Sequence, residues 1–137
     1  MNTQLSDSHP LVVLRHAVES YDRYLQPSGE LHDPVFGEPT QYGTPYHALC
    51  NAALAVSQTN EGERSAYAER SLRGLDAALR HVENPTLPPT ASGFSRDTGV
   101  VSRLNHRDFF WPPILKTYLL LRQLDTPGLE ALAERIA

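Results

Sequence analysis

Apolar residues in this chain return every three or four positions, and no stretch alternates convincingly as a half-buried strand would. In "SHPLVVLRHAVESYDRYL", Leu11, Leu14, Val18, Tyr21 and Leu25 form such a series, with Ala17 and Tyr24 beside it. Ser8 suits its N-cap and Pro10 its first turn, where a missing N–H costs nothing. "PSG" at Pro27 to Gly29 ends the segment. A second helix is predicted at "TPYHALCNAALAV", with Thr44 as cap, Pro45 at N1, and Tyr46, Leu49, Cys50, Ala53 and Val56 facing inward. A third starts after Asn60, which has capping-box spacing to Glu63. It continues through Tyr67, Leu72, Leu75, Ala78, Leu79 and Val82, with Arg80 and His81 at the negative end of its dipole. The fourth is expected from about Pro112 to Leu124, through Ile114, Leu115, Tyr118, Leu119 and Leu121. A fifth follows in "DTPGLEALAERIA", capped by Thr126 or Asp125, with Pro127 near N1. The expected fold is all-α: antiparallel helical hairpins, about five helices, in one domain spanning residues 1–137.

The connections alternate in length. Gln26 to Gly43 gives about 18 residues and Glu83 to Trp111 about 29, whereas the other two connections take two or three. Helix connections in bundles usually take roughly 2–8 residues, so the long ones call for a reason. If successive helices run antiparallel, both long loops emerge on one face, which brings Tyr42 near Trp111. Binding and catalytic groups tend to lie on such loops.

Composition narrows the chemistry. The net charge of −4 argues against nucleic acid as a general partner. Of the 12 basic residues only Lys116 is a lysine, and arginine is the better fork for a carboxylate. The single cysteine, Cys50, sits in an apolar run and reads as core. The polar N-terminus lacks the basic and apolar regions of a secretory signal, and no apolar run approaches a membrane span. A cytoplasmic location is therefore expected, with no membrane partner. No metal is expected: His32 and Asp33 are adjacent rather than at ligand spacing, and His47 and Cys50, at i, i+3, lack a third ligand. No phosphate loop or dinucleotide fingerprint appears, and no cofactor is expected.

The long loops hold the candidate chemistry. The first offers Glu30, His32, Asp33 and Glu38, with Phe36 and Tyr42; the second offers Arg96, Asp97, Arg103, Asn105, His106, Arg107 and Asp108, with four aromatics from Phe94 to Trp111. His106 can exchange a proton near neutral pH, and Asp108 beside it is the second catalytic candidate. Arg103 and Arg107 would hold a carboxylate, Asn105 would read a hydroxyl, and Trp111 and Tyr42 would stack on sugar rings. Asp33 or Glu38 facing Asp97 or Asp108 is an alternative acid–base pair. Against these stands a plainer reading, in which the aromatics pin a loop to the core, His106 is a surface residue, and Asp108 serves a helix N-terminus.

The words "YLQPSGELHDPVFGEPTQYGTPYHALCNAAL" and "NHRDFFWPPILKTYLLLRQL" resemble the opening of an α/α toroid, the six-hairpin architecture of many glycoside hydrolases and of polysaccharide lyases of the alginate lyase and heparinase group. The resemblance is architectural and spans most of the chain. It implies binding of, or β-elimination or hydrolysis on, an anionic, uronate-containing saccharide. A full toroid has about a dozen helices, so it also implies that this chain corresponds to an N-terminal segment, a truncated product, or a small relative that kept only a binding face. The rival expectations are a non-enzymatic helical interaction module or a small metabolite-binding regulatory domain. In any of these, residues 112–137 are expected to self-associate or meet further helices, because Leu119, Leu120 and Leu121 point about 100° apart and one neighbour cannot cover all three.

Overall fold

The computed structural model describes residues 9–35, 37, 39, 42–83 and 99–137, and for His9, Val82 and residues 99–109 the backbone alone. Five α-helices make up the described chain: α1 (His9–Tyr21), α2 (Gly43–Ser57), α3 (Glu61–Glu83), α4 (Gly99–Gln123) and α5 (Glu130–Ile136). A 3-10 turn, Asp22–Tyr24, follows α1, and the described residues contain no strand beyond two isolated bridges. The chain is all-α, as its periodicity requires.

α2 lies at the centre, packed on α1, α3 and α4, and its contact with α3 is the most extensive in the molecule. Small residues permit this closeness. Ser71 donates from Oγ to the Ala48 carbonyl at 2.7 Å, and a Cβ placed on Gly74 would lie 2.9 Å from the Ala48 methyl. Ala48 precedes the short Gln58–Asn60 turn by about as many residues as Ser71 follows it, so the pair is an antiparallel hairpin. The Asn60 cap forms as its spacing predicts, accepting from the Glu63 backbone N–H at 3.0 Å. Leu54, Leu75, Leu79, Ile114 and Leu121 are fully buried in the core around this hairpin, each worth about 1.5–3 kcal/mol of transfer free energy.

Three expectations need correction. First, α2 turns a different face inward: Thr44, Pro45, His47, Ala48, Asn51, Ala52, Leu54 and Ala55 are buried, whereas Tyr46 and Val56 are exposed. The hydrophobicity of single residues misled because close helix packing selects small ones. Thr44 is no cap either; its buried hydroxyl accepts from the Leu31 N–H at 3.0 Å and ties the first long loop to α2. Second, α4 starts at Gly99, so Pro112 and Pro113 lie inside it rather than opening it. They deprive the Asp108 and Phe109 carbonyls of their usual donors. The helix continues because its downstream face is firmly held: Pro113, Ile114, Thr117 and Leu121 are fully buried, and Thr117 Oγ1 donates to the Pro113 carbonyl at 2.6 Å. Residues 84–98 lie outside the described residues, as does Ser8. Third, Asp125 and Thr126 do not cap α5. Asp125, at φ 48°, terminates α4: its N–H bonds the Arg122 carbonyl and the Thr126 N–H bonds the Leu121 carbonyl, the paired bonds of a Schellman ending.

α5 packs on the core and is tied to α3 by Arg135. Leu129 and Leu132 are buried, and Ile136 packs against the core at its edge. Arg135 forks onto Glu83 at 2.6 and 2.8 Å and reaches Asp76 at 2.6 Å.

The first long loop is bound along α3. Gly29, at φ 91°, presses on the Arg73 carbonyl so closely that any Cβ would overlap it. Arg80 donates to the Ser28 carbonyl at 2.6 Å, and His81 meets Glu30 at 3.0 Å. Gly29→Ala therefore combines left-handed strain with a backbone overlap, and should cost at least about 1–3 kcal/mol in urea denaturation. A loss below about 0.5 kcal/mol would show that this loop is not seated on α3.

Candidate functional site

The seating of the loop creates a cleft of about 370 Å³ between the turn after α1 and the middle of α3, lined by Asp22, Leu25, Gln26, Pro27, Arg70 and Arg73. Arg70 and Arg73 are three apart on α3, so both guanidinium groups serve the same side of the helix. Arg70 pairs with Asp22 Oδ2 at 3.4 Å and lies over the Tyr67 ring at 5.6 Å. Arg73 is exposed and its side chain has no ion-pair partner among the described residues.

Beneath the cleft lies a buried polar cluster. Asp22 Oδ1 points away from Arg70 and stands 3.8 Å from His47 Nε2, too far for a hydrogen bond. This oxygen is buried and unpartnered, and so is Oδ1 of Asn51. Asn51, fully buried one helical turn after His47, donates to the His47 carbonyl at 2.9 Å. Its amide nitrogen is 3.3 Å from one ring nitrogen of His47 and 3.4 Å from the other. A donor aligned with either in-plane lone pair would be much farther from the second nitrogen, so the amide sits across the ring and satisfies neither well. Burial holds His47 below its ordinary pKa of 6.5; the Asp22 charge opposes the shift and Arg70 adds to it. The His47 imidazole, the Asp22 carboxyl and an amide with an unused acceptor thus lie together, and leaving buried polar atoms unpartnered costs free energy.

A second polar group clamps the loop farther along α3. Glu30 takes His81 on one oxygen at 3.0 Å and His32 near the other at 3.6 Å. Burial alone would raise the Glu30 pKa, but the hydrogen bonds and charges of the two histidines outweigh it and bring the carboxyl below its ordinary value. Among the described residues, no group of three His, Cys, Asp or Glu side chains is arranged to hold a metal ion.

The residues singled out from the sequence lie elsewhere. Arg103, Asn105, His106, Arg107 and Asp108 are on α4 rather than on a loop, and their side chains, like residues Arg96 and Asp97, lie outside the described residues. Phe36 and Glu38 also lie outside them. Trp111 is half-buried, packed against the core with its ring edge-on to Phe110 at 6.2 Å. Tyr42 is half-buried at the start of α2, and burial raises its phenol pKa, with Tyr46 adding to the shift. Cys50 is half-buried and burial pushes its thiol up, as expected of a core cysteine. Sequence reasoning missed Asp22, Asn51, Arg70 and Arg73. The signal was the pair His47 and Asn51 at i, i+4 inside an Ala- and Leu-rich helix, two polar groups on one face of a segment otherwise made for burial.

Compared with family models, curated proteins and solved structures, the chain matches none. Its geometry therefore carries the functional argument.

The lowered pKa of His47 has a consequence for stability. Between the folded value and 6.5 the unfolded chain binds more protons, so the native state loses stability as pH falls below about 6.5. The slope should not exceed about 1.4 kcal/mol per pH unit, the limit for one proton. The Glu30 contribution runs out lower, as pH falls below 4.5 toward its depressed value. Urea denaturation between pH 7.5 and 5 should show that His47→Gln flattens the upper part of the curve. Identical curves for the two proteins would remove the buried neutral histidine from the account.

Proposed function

We propose that this protein binds a small anionic, hydroxyl-bearing molecule, with a uronate-type sugar acid as the best candidate, in the cleft between the turn after α1 and α3. The carrying observation is Arg73, an exposed guanidinium without a charged partner among the described residues, beside Arg70 on the rim of a cleft of about 370 Å³. Two forks on one helix face suit a carboxylate, which takes bidentate hydrogen bonds. The Gln26 amide supplies a group suited to a hydroxyl, and Leu25 and Pro27 offer apolar surface to the body of a ring. The likeness to the opening of an α/α toroid belongs to this reading as an architectural expectation drawn from the sequence. Arg103, Asn105, His106, Arg107, Asp108, Trp111 and Tyr42 stay candidates for extending the site or for chemistry on a longer saccharide.

Calorimetric titration with glucuronate and with uronate oligosaccharides tests the proposal. Arg73→Ala should weaken binding about tenfold or more, as loss of a charged hydrogen-bonding partner does, while stability changes by no more than about 0.5 kcal/mol. Equal affinity for the two proteins would take the site away from this cleft.

A second reading, a helical interaction module, draws on α4. Leu115 and Leu119, one turn apart, are 45% and 54% exposed on a helix whose opposite face is buried. Leu120, by contrast, packs against the core. Self-association through this face should appear in sedimentation at tens of micromolar and be abolished by Leu119→Glu. A monomer unaffected by that change would leave the face without a role in assembly.

A further inference from the structure

Asp22 stands between a guanidinium that it pairs with and an imidazole that it does not reach. Its Oδ2 reaches Arg70 at the cleft, and its buried Oδ1 faces His47, which is neutral when unprotonated and lies just beyond hydrogen-bond distance. We propose, building on the cleft reading above, that anion capture is coupled to a proton: as His47 gains one, it takes Asp22, and Arg70 is released to the carboxylate of the incoming ligand.

The groups that act on the His47 ring support this exchange. From the turn after α1 comes Asp22 and from α3 comes Arg70; Asn51, on α2 itself, is its neutral polar neighbour. No other charged side chain among the described residues of α1 or α4 acts on it. Protonation would place a positive charge against the one carboxylate oxygen that now lacks a donor, turning a costly buried atom into half of an ion pair. The Asp22 charge would then be shared more heavily with His47, and its competition with the ligand for Arg70 would weaken. His47 is 7% exposed, so the exchange takes place largely out of water. By reciprocity, a bound anion at Arg70 must raise the proton affinity of His47 by the same factor that the proton raises anion affinity. The ligand class follows: a compact carboxylate, matched to guanidinium forks three residues apart on one helix.

Glucuronate is the probe, because its carboxyl stays ionised throughout the range in which histidine titrates. Calorimetric titrations of the full chain at pH 8 and pH 5.5 should show binding about tenfold tighter at the lower pH, with proton uptake that changes the observed heat between buffers. His47→Gln should abolish both the pH dependence and the uptake. Should that variant fold poorly, Asp22→Asn, at a partly exposed position, gives the independent readout: it should bind about as tightly at pH 8 as the parent does at pH 5.5. Arg73-dependent binding that is flat with pH, or an Asp22→Asn protein that still tightens on acidification, overturns the coupling and leaves the cleft reading standing. No glucuronate binding at either pH overturns both.

Discussion

The close approach of α2 and α3 is the constraint on which the rest of the molecule depends. It exists because Ala48, Gly74 and Ser71 offer almost no side-chain volume at the crossing, and because the Ser71 hydroxyl satisfies its hydrogen-bonding need on the facing helix backbone. Helices so near one another leave no room for a large aliphatic layer between them. Leu54, Leu75 and Leu79 are buried around the contact, and so are His47 and Asn51. A polar cluster in the interior is thus part of how this hairpin packs.

The same crossing positions the cleft. α3 presents Arg70, Arg73, Arg80 and His81 along one side, and the chain leaving α1 is laid against that side by Gly29, Ser28 and Glu30 in turn. Each contact uses a different device: a backbone approach that only glycine allows, a guanidinium on a carbonyl, and an imidazole on a carboxylate. The described part of the loop is consequently held against α3 at three successive residues. For the proposed anion, a wall ordered in advance is the condition under which a modest number of contacts yields useful affinity.

The sequence made the helices legible because the 3.6-residue period depends only on which residues are apolar, and the Asn60 cap because it depends on two neighbours in the chain. It misassigned the inward face of α2, where Ala and Thr are buried and Tyr46 and Val56 are not, because tight packing rewards small size over hydrophobicity. Pro112 and Pro113 pointed to a helix start, since local rules favour prolines there; burial of Pro113, Ile114 and Leu121 overrides them. The site was the least legible part. Asp22, His47 and Arg70 are separated by many residues and come together only through the hairpin and the turn after α1. Tyr42 and Trp111 fall in stretches that read as long loops, yet Trp111 lies within α4 and packs against the core.

The central claim is that His47 is a neutral, buried imidazole whose charge state is linked to the occupancy of the cleft through Asp22. An NMR titration that follows the His47 ring in the presence and absence of glucuronate addresses it directly. The account predicts a ring that titrates below 6.5 in the free protein and shifts upward when the ligand binds. A ring that titrates at or above 6.5, and stays there when glucuronate is added, would contradict it.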